Sequence, residues 1–171
     1  MDKQVFPDYM HLQEQPLLPK ALGSAPFDSD GVATRANVFI DQGILKSYVL
    51  GVYSARKLNL KTTGNAGGVH NLIVKSGQKD LQQLLKTMGT GLLVTELMGQ
   101  GVNIVTGDYS RGVGGFWVEN GEIQYPVHEI TIAGNLRDMF MHMVEIGNDV
   151  DVRGNVRTGS VLIEEMMIAG S

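Results

Sequence analysis

Apolar and polar positions along this chain follow two periods, and the switches between them mark its elements. Leu81, Leu84, Leu85 and Met88 fall at i, i+3, i+4 and i+7, which predicts a helix over 78–88. Ser76 is placed to cap it and Gly89 to stop it. A second stripe, Leu136, Met139, Phe140, Met143 and Val144, predicts a helix opening at Asn135 and ending at Gly147, with Asp138 placed as a capping-box acid. Elsewhere the apolar runs are short and bounded by turn residues, the pattern of strands. Such runs lie at 38–40, 44–45, 70–75, 92–97, 102–105, 130–132 and 161–168, with a short helical turn at 53–58. The sharpest local signal is Phe116-Trp117-Val118-Glu119-Asn120-Gly121-Glu122-Ile123-Gln124-Tyr125. Asn-Gly at its centre predicts a type I′ hairpin, because both residues tolerate positive φ. Simple pairing then sets Val118 against Ile123 and Phe116 against Tyr125 on one face, with Trp117 and Gln124 on the other. Pro126 is expected to limit how far this strand pairs.

Residues 1–26 show neither period. Pro7, Pro16, Pro19 and Pro26 interrupt any helix, and the stretch reads as an extended arm ahead of a domain spanning 27–171. So irregular an opening resembles the middle of a longer chain. Asp28-Ser29-Asp30-Gly31 begins like a calcium loop, but the twelfth position is Phe39 and not Glu, so an Asx-type turn is expected. These elements predict an α+β, β-rich fold: a curved or barrel-like, mainly antiparallel sheet with about two helices.

Composition adds exclusions. The 22 glycines lie between apolar runs, where turns and bulges need them. No apolar run approaches the ~18 residues of a membrane span, and Met1 is followed by Asp2, Lys3 and Gln4 with no apolar leader, so a cytoplasmic protein is expected. A net charge of −4 without a basic stripe makes nucleic acid a poor partner. With no cysteine there is no thiolate ligand or thiol nucleophile. His128-Glu129 opens like a zinc-protease helix, but position 132 is Ile and the stretch reads as strand. His142 and Glu145 are too few donors for a metal, and His70 follows a glycine loop that faces a groove in one reading. Gly112-Val113-Gly114-Gly115 lacks the helix and the Lys-Ser/Thr ending of a phosphate loop. No catalytic residue and no metal ligand is therefore assigned.

One segment stands out. In Gly107 to Trp117, aromatic and charged residues interleave with glycines beside the hairpin. Glycines admit a peptide backbone closely, and strand edges accept extended peptides. Asp108, Tyr109, Arg111, Gly112, Gly114, Gly115 and Phe116 are the candidate peptide- or partner-binding residues.

The same residues carry a family resemblance. GVGGFWVENGEIQYPVHEITIAGN (112–135), TGLLVTELMGQG (90–101), GDYSRG (107–112), Pro26-Phe27-Asp28-Ser29-Asp30-Gly31, Gly43-Ile44-Leu45 and Tyr53-Ser54-Ala55-Arg56-Lys57-Leu58 occur in the order found in the C-terminal domain of the PmbA/TldD family. The chain resembles that domain nearly end to end, most closely in the PmbA (TldE) branch. The resemblance implies a cytoplasmic bacterial zinc metallopeptidase system that degrades or matures unfolded peptides, known by an older label as modulator of DNA gyrase. In it a TldD-like subunit pairs with a PmbA-like one, or a subunit pairs with itself. The TldD-like subunit carries a His-Glu-x-x-x-His zinc motif in an upstream domain and a further ligand cysteine near the C-terminus. Here 147–160 holds no Cys, and Thr158 lies near the expected place. The resemblance thus implies that this chain holds no cofactor itself and that the zinc belongs to the TldD-like partner. The alternatives are a purely structural dimerisation module or, more weakly, a DNA gyrase modulator.

Overall fold

A computed structural model describes residues 1–170. The chain forms two compact units, one from residues 1–76 and 149–159, the other from 77–148 and 160–171. The fold is α+β and strand-rich, with mixed sheets, and none of them closes into a barrel. No helix among the described residues is long and apolar enough to cross a membrane.

In the first unit a five-stranded sheet runs β3-β2-β1-β4-β9. Its strands are β1 (Leu12–Glu14), β2 (Asn37–Asp41), β3 (Ile44–Leu45), β4 (Leu72–Val74) and β9 (Val156–Arg157). The β2–β3 hairpin forms where the sequence predicts it, with Gln42 and Gly43 both at positive φ. β1 corrects the expectation that residues 1–26 contain no strand. It sits mid-sheet, paired antiparallel with β2 and β4. Its signal is hidden because it is three residues long and its best-buried member is the carboxylate of Glu14. The helical turn at 53–58 appears as α1 (Val52–Lys57). Met10, Phe39, Ile40, Leu50 and Ala55 form this unit's apolar core. Asp28 makes the expected Asx turn, accepting from the amides of Asp30 and Val32 at 2.9 Å each.

The second unit holds α2 (Leu81–Met88), a four-stranded sheet and a two-stranded one. The larger sheet runs β11-β7-β6-β5, from β5 (Gly91–Met98), β6 (Asp108–Glu119), β7 (Glu122–Asn135) and β11 (Met167–Ala169). The smaller pairs β8 (Met143–Ile146) with β10 (Val161–Ile163). α2 starts later than predicted. Asp80, not Ser76, is its N-cap, accepting from the Gln83 amide while the Gln83 side chain accepts from the Asp80 amide. Leu84, Leu85, Val113, Val118, Ile132 and Ile146 are the buried apolar residues of the second unit.

Other expectations are corrected here. The second helix, α3 (Leu136–Met141), stops after six residues. Met143 and Val144 continue its stripe, yet pairing with β10 draws them into β8. Asn135 caps α3 through the Arg137 amide, and not in a box with Asp138. The run at 161–168 divides into β10 and β11, with Glu164 and Glu165 outside both strands. The stretch at 102–105 is not a strand: the Asn103 side chain accepts from the amides of Val105 and Thr106 and turns the chain. Gly112-Val113-Gly114-Gly115 lies inside β6.

The Asn120-Gly121 turn forms as predicted, both residues at positive φ. Val118 faces Ile123, but a bulge then admits Gln124 as an extra residue. Tyr125 therefore pairs with Trp117, and Phe116 with Pro126, in place of the expected Phe116–Tyr125 pair. Pro126 does not curtail β7. β11 reaches only Thr131 to Ala133, so the imino nitrogen has no outer strand to serve.

Candidate functional site

The segment singled out in the sequence is the centre of the larger sheet. β6 is hydrogen-bonded to β5 on one side and β7 on the other. Period-two alternation divides the candidate residues between its faces. Tyr109, Arg111, Gly115 and Trp117 share one face; Asp108, Gly112, Gly114 and Phe116 share the other. Tyr109 and Trp117 thus lie on one face, eight residues apart along β6, and Phe116 lies on the other.

The two charged members already have partners. Arg111 donates through Nη2 to the Gly99 carbonyl at 2.6 Å, which ties β6 to the end of β5. Asp108 accepts from Thr106 Oγ1 at 2.7 Å, and the Asn103 amide donates to the Asp108 carbonyl at 2.8 Å. These bonds close the loop between β5 and β6 and hold its tip outward, with Ile104 at 89% and Val105 at 90% exposure. Gly114 lies where both neighbouring strands bulge, at Thr95 in β5 and at His128-Glu129 in β7. Glu129 takes a positive φ there, an uncommon conformation for a residue with a Cβ.

On the Tyr109 and Trp117 face the second unit encloses a cavity of about 660 Å³. α2 supplies one wall through Leu81, Leu84, Leu85 and Met88. Thr90 and every β5 residue from Gly91 to Leu97 line it, and the segment from Ser160 to Met166 does the same. A sheet face offers alternate residues, so an unbroken run of lining residues means that the cavity follows a strand's edge. Both strands have such an edge. Among the described residues β5 pairs only with β6, and β10 only with β8. Sequence reasoning left out Trp117 and the 160–166 wall. Trp117 was legible in its even spacing from Tyr109; the wall was not, because it is assembled from a distant stretch of chain.

The first unit has its own polar cluster. Glu14, 1% exposed, accepts from Asn65 Nδ2 at 2.9 and 2.7 Å through its two oxygens and lies 3.3 Å from His70 Nδ1. Asn65 Oδ1 is buried without a hydrogen-bond partner. Burial pushes the nearby Asp28 carboxyl up, but the amides of Ala66, Val32 and Asp30 outweigh it and hold the group below the usual carboxylate range. Among the described residues no three His, Cys, Asp or Glu side chains converge.

Residues 1–170 match the sequence model of the PmbA/TldA metallopeptidase C-terminal domain. The chain belongs to this family. Metalloprotease PmbA of Escherichia coli O157:H7 is 58% identical over 170 residues, which are 99% of this chain and 38% of that protein. A Thermotoga maritima protein, described as a candidate modulator of a DNA gyrase, superposes with a TM-score of 0.88 at 38% identity, over 99% of this chain and 41% of its own. TldE from Thermococcus kodakarensis superposes with a TM-score of 0.82 at 25% identity, over 99% of this chain and 42% of its own. The chain therefore spans well under half the length of these relatives.

Proposed function

We propose that this PmbA/TldA C-terminal domain serves in a PmbA (TldE)-like subunit, paired with a TldD-like subunit, in a cytoplasmic zinc metallopeptidase that degrades or matures unfolded peptides. In this reading the domain guides extended peptide and contributes to the subunit interface, while the TldD-like partner supplies the zinc and the hydrolysis. The observation that carries it is the cavity with two single-paired strand edges along its walls. An unfolded chain has unmet backbone donors and acceptors, and a strand edge satisfies them without reading sequence. Tyr109 and Trp117 give that groove a rigid aromatic side.

The loop bearing Ile104 and Val105 favours a second role, as a pairing surface. Two β-branched side chains held outward by fixed hydrogen bonds suit burial against another subunit. A DNA-binding role, one reading of the gyrase description of the Thermotoga relative, is less well supported, since a net charge of −4 opposes binding to a polyanion.

The test replaces Tyr109 and Arg111 by Ala in the full subunit and assays the paired complex on an unfolded peptide. Turnover should fall about tenfold with pairing intact, the loss of roughly 1.4 kcal/mol of substrate contact. Unchanged turnover in an intact complex leaves the domain as a pairing module alone.

A further inference from the structure

The walls of the cavity differ in polarity in a way that bears on which peptides it accepts. Its floor is apolar, built from Leu84, Leu85, Leu92, Trp117 and Ile132. Three glutamates, Glu96, Glu164 and Glu165, are the charged residues that line it, and neither lysine nor arginine does. Glu96 turns its carboxylate toward Gly114 and His128, on the far face of the sheet. Glu164 and Glu165 remain, adjacent and exposed in the turn that follows β10. Neither forms an ion pair with a basic side chain among the described residues. Their backbone is fixed, since the Glu164 amide donates to the His142 carbonyl at 3.0 Å. The groove therefore carries two unneutralised carboxylates on an anchored rim above an apolar floor.

A strand laid along β5 would send alternate side chains to opposite sides. One set meets the apolar floor and the other passes the rim. We infer that the groove selects extended peptides in which apolar residues alternate with lysine or arginine. The inference rests on the peptide-groove reading and sharpens its substrate class. Lysine and arginine suit both surfaces, because their aliphatic stems lie along apolar walls while the charged end reaches the rim. Aspartate and glutamate at the same positions would face like charges. The preference is one of alternation and sign, which leaves the backbone contacts common to all peptides.

Trp117, the only tryptophan, lines the cavity and reports occupancy by its emission. The probes are acetyl-Leu-Lys-Leu-Arg-Leu-amide and its charge-reversed counterpart acetyl-Leu-Glu-Leu-Asp-Leu-amide, titrated against the 171-residue chain. The basic peptide should change Trp117 emission at a concentration about tenfold lower, the scale for two exposed charge contacts that turn from attractive to repulsive. The gap should narrow in 0.5 M NaCl, where screening shortens to roughly 4–5 Å. It should shrink below about threefold in the Glu164→Gln, Glu165→Gln double variant, whose exposed positions leave the fold intact. Equal response to both peptides overturns the charge preference and leaves the groove reading standing. No response to either peptide overturns both, and a gap unchanged in the double variant removes Glu164 and Glu165 as its source.

Discussion

Replacing Gly115 by alanine should dislodge β5 from the sheet, whereas the same change three residues earlier should not. Gly115 lies in the buried centre of β6, beneath the β5 backbone. A methyl group there would come within 3.0 Å of the Leu93 carbonyl carbon and 3.1 Å of Val94 Cα, and nearer still to the Leu93 oxygen. The obstacle is backbone, so no rotamer change relieves it and the strand itself must move. Overpacking of this kind costs about 1–3 kcal/mol. Two ladder bonds lost beside the displacement add about 1 kcal/mol each. Removing a strand glycine returns about 0.5–1 kcal/mol through the unfolded chain. The net is a loss of about 2–4 kcal/mol, a large part of the ~5–15 kcal/mol that holds a typical domain. At Gly112 the added methyl would meet only Met98 side-chain atoms at 3.5 and 3.7 Å, ordinary contact. Gly112→Ala should be neutral or slightly stabilising. Urea unfolding followed by Trp117 emission reads both variants in the unit concerned. With a slope of about 1–3 kcal/mol per molar, the Gly115→Ala midpoint should drop by about 1–2 M. Equal midpoints for the two variants would refute the argument that close approach of β5 requires this glycine.

Two further predictions concern the first unit. Glu14→Ala would strand Asn65 and His70 in a buried site, so its melting transition should drop by the equivalent of about 2–4 kcal/mol, while Glu14→Gln, which keeps an acceptor, should cost less. Asp28 has a depressed folded-state pKa, so its contribution is present above the unfolded value near 3.8 and is lost as pH falls through the folded one. Asp28→Asn should flatten the acid limb of the melting temperature between about pH 5 and 2, and an unchanged limb would show that other carboxylates set it.

What could be read from sequence followed how local each cause is. The Asn120-Gly121 turn, the α2 stripe and the Asn135 cap depend on residues a few positions apart, and all three form as read. α3 ends early because β10, fifteen or more residues on, claims Met143 to Ile146. The Gln124 bulge rearranges the aromatic pairs without any turn residue to announce it. β1 escapes notice because its placement depends on Asn65 and His70, some fifty residues away, meeting Glu14. For the candidate site, the interleaved aromatics and glycines all fall on β6, and period two divides them between its two faces. The opposite wall, with Glu164 and Glu165, needed the folded chain to bring residues 160–166 to β5.

The interleaving of the two units bears on inheritance. The chain leaves the first unit after Ser76, returns at Asp149 and leaves again after Gly159. Residues 1–76 alone would lack β9, the parallel partner of β4, and residues 77–148 alone would lack β10 and β11. Neither unit corresponds to one uninterrupted stretch of coding sequence. A recombination event with a single breakpoint anywhere between β5 and β9 would separate strands from their partners in both units at once. Exchange between related genes should therefore carry the two units together, as one heritable block.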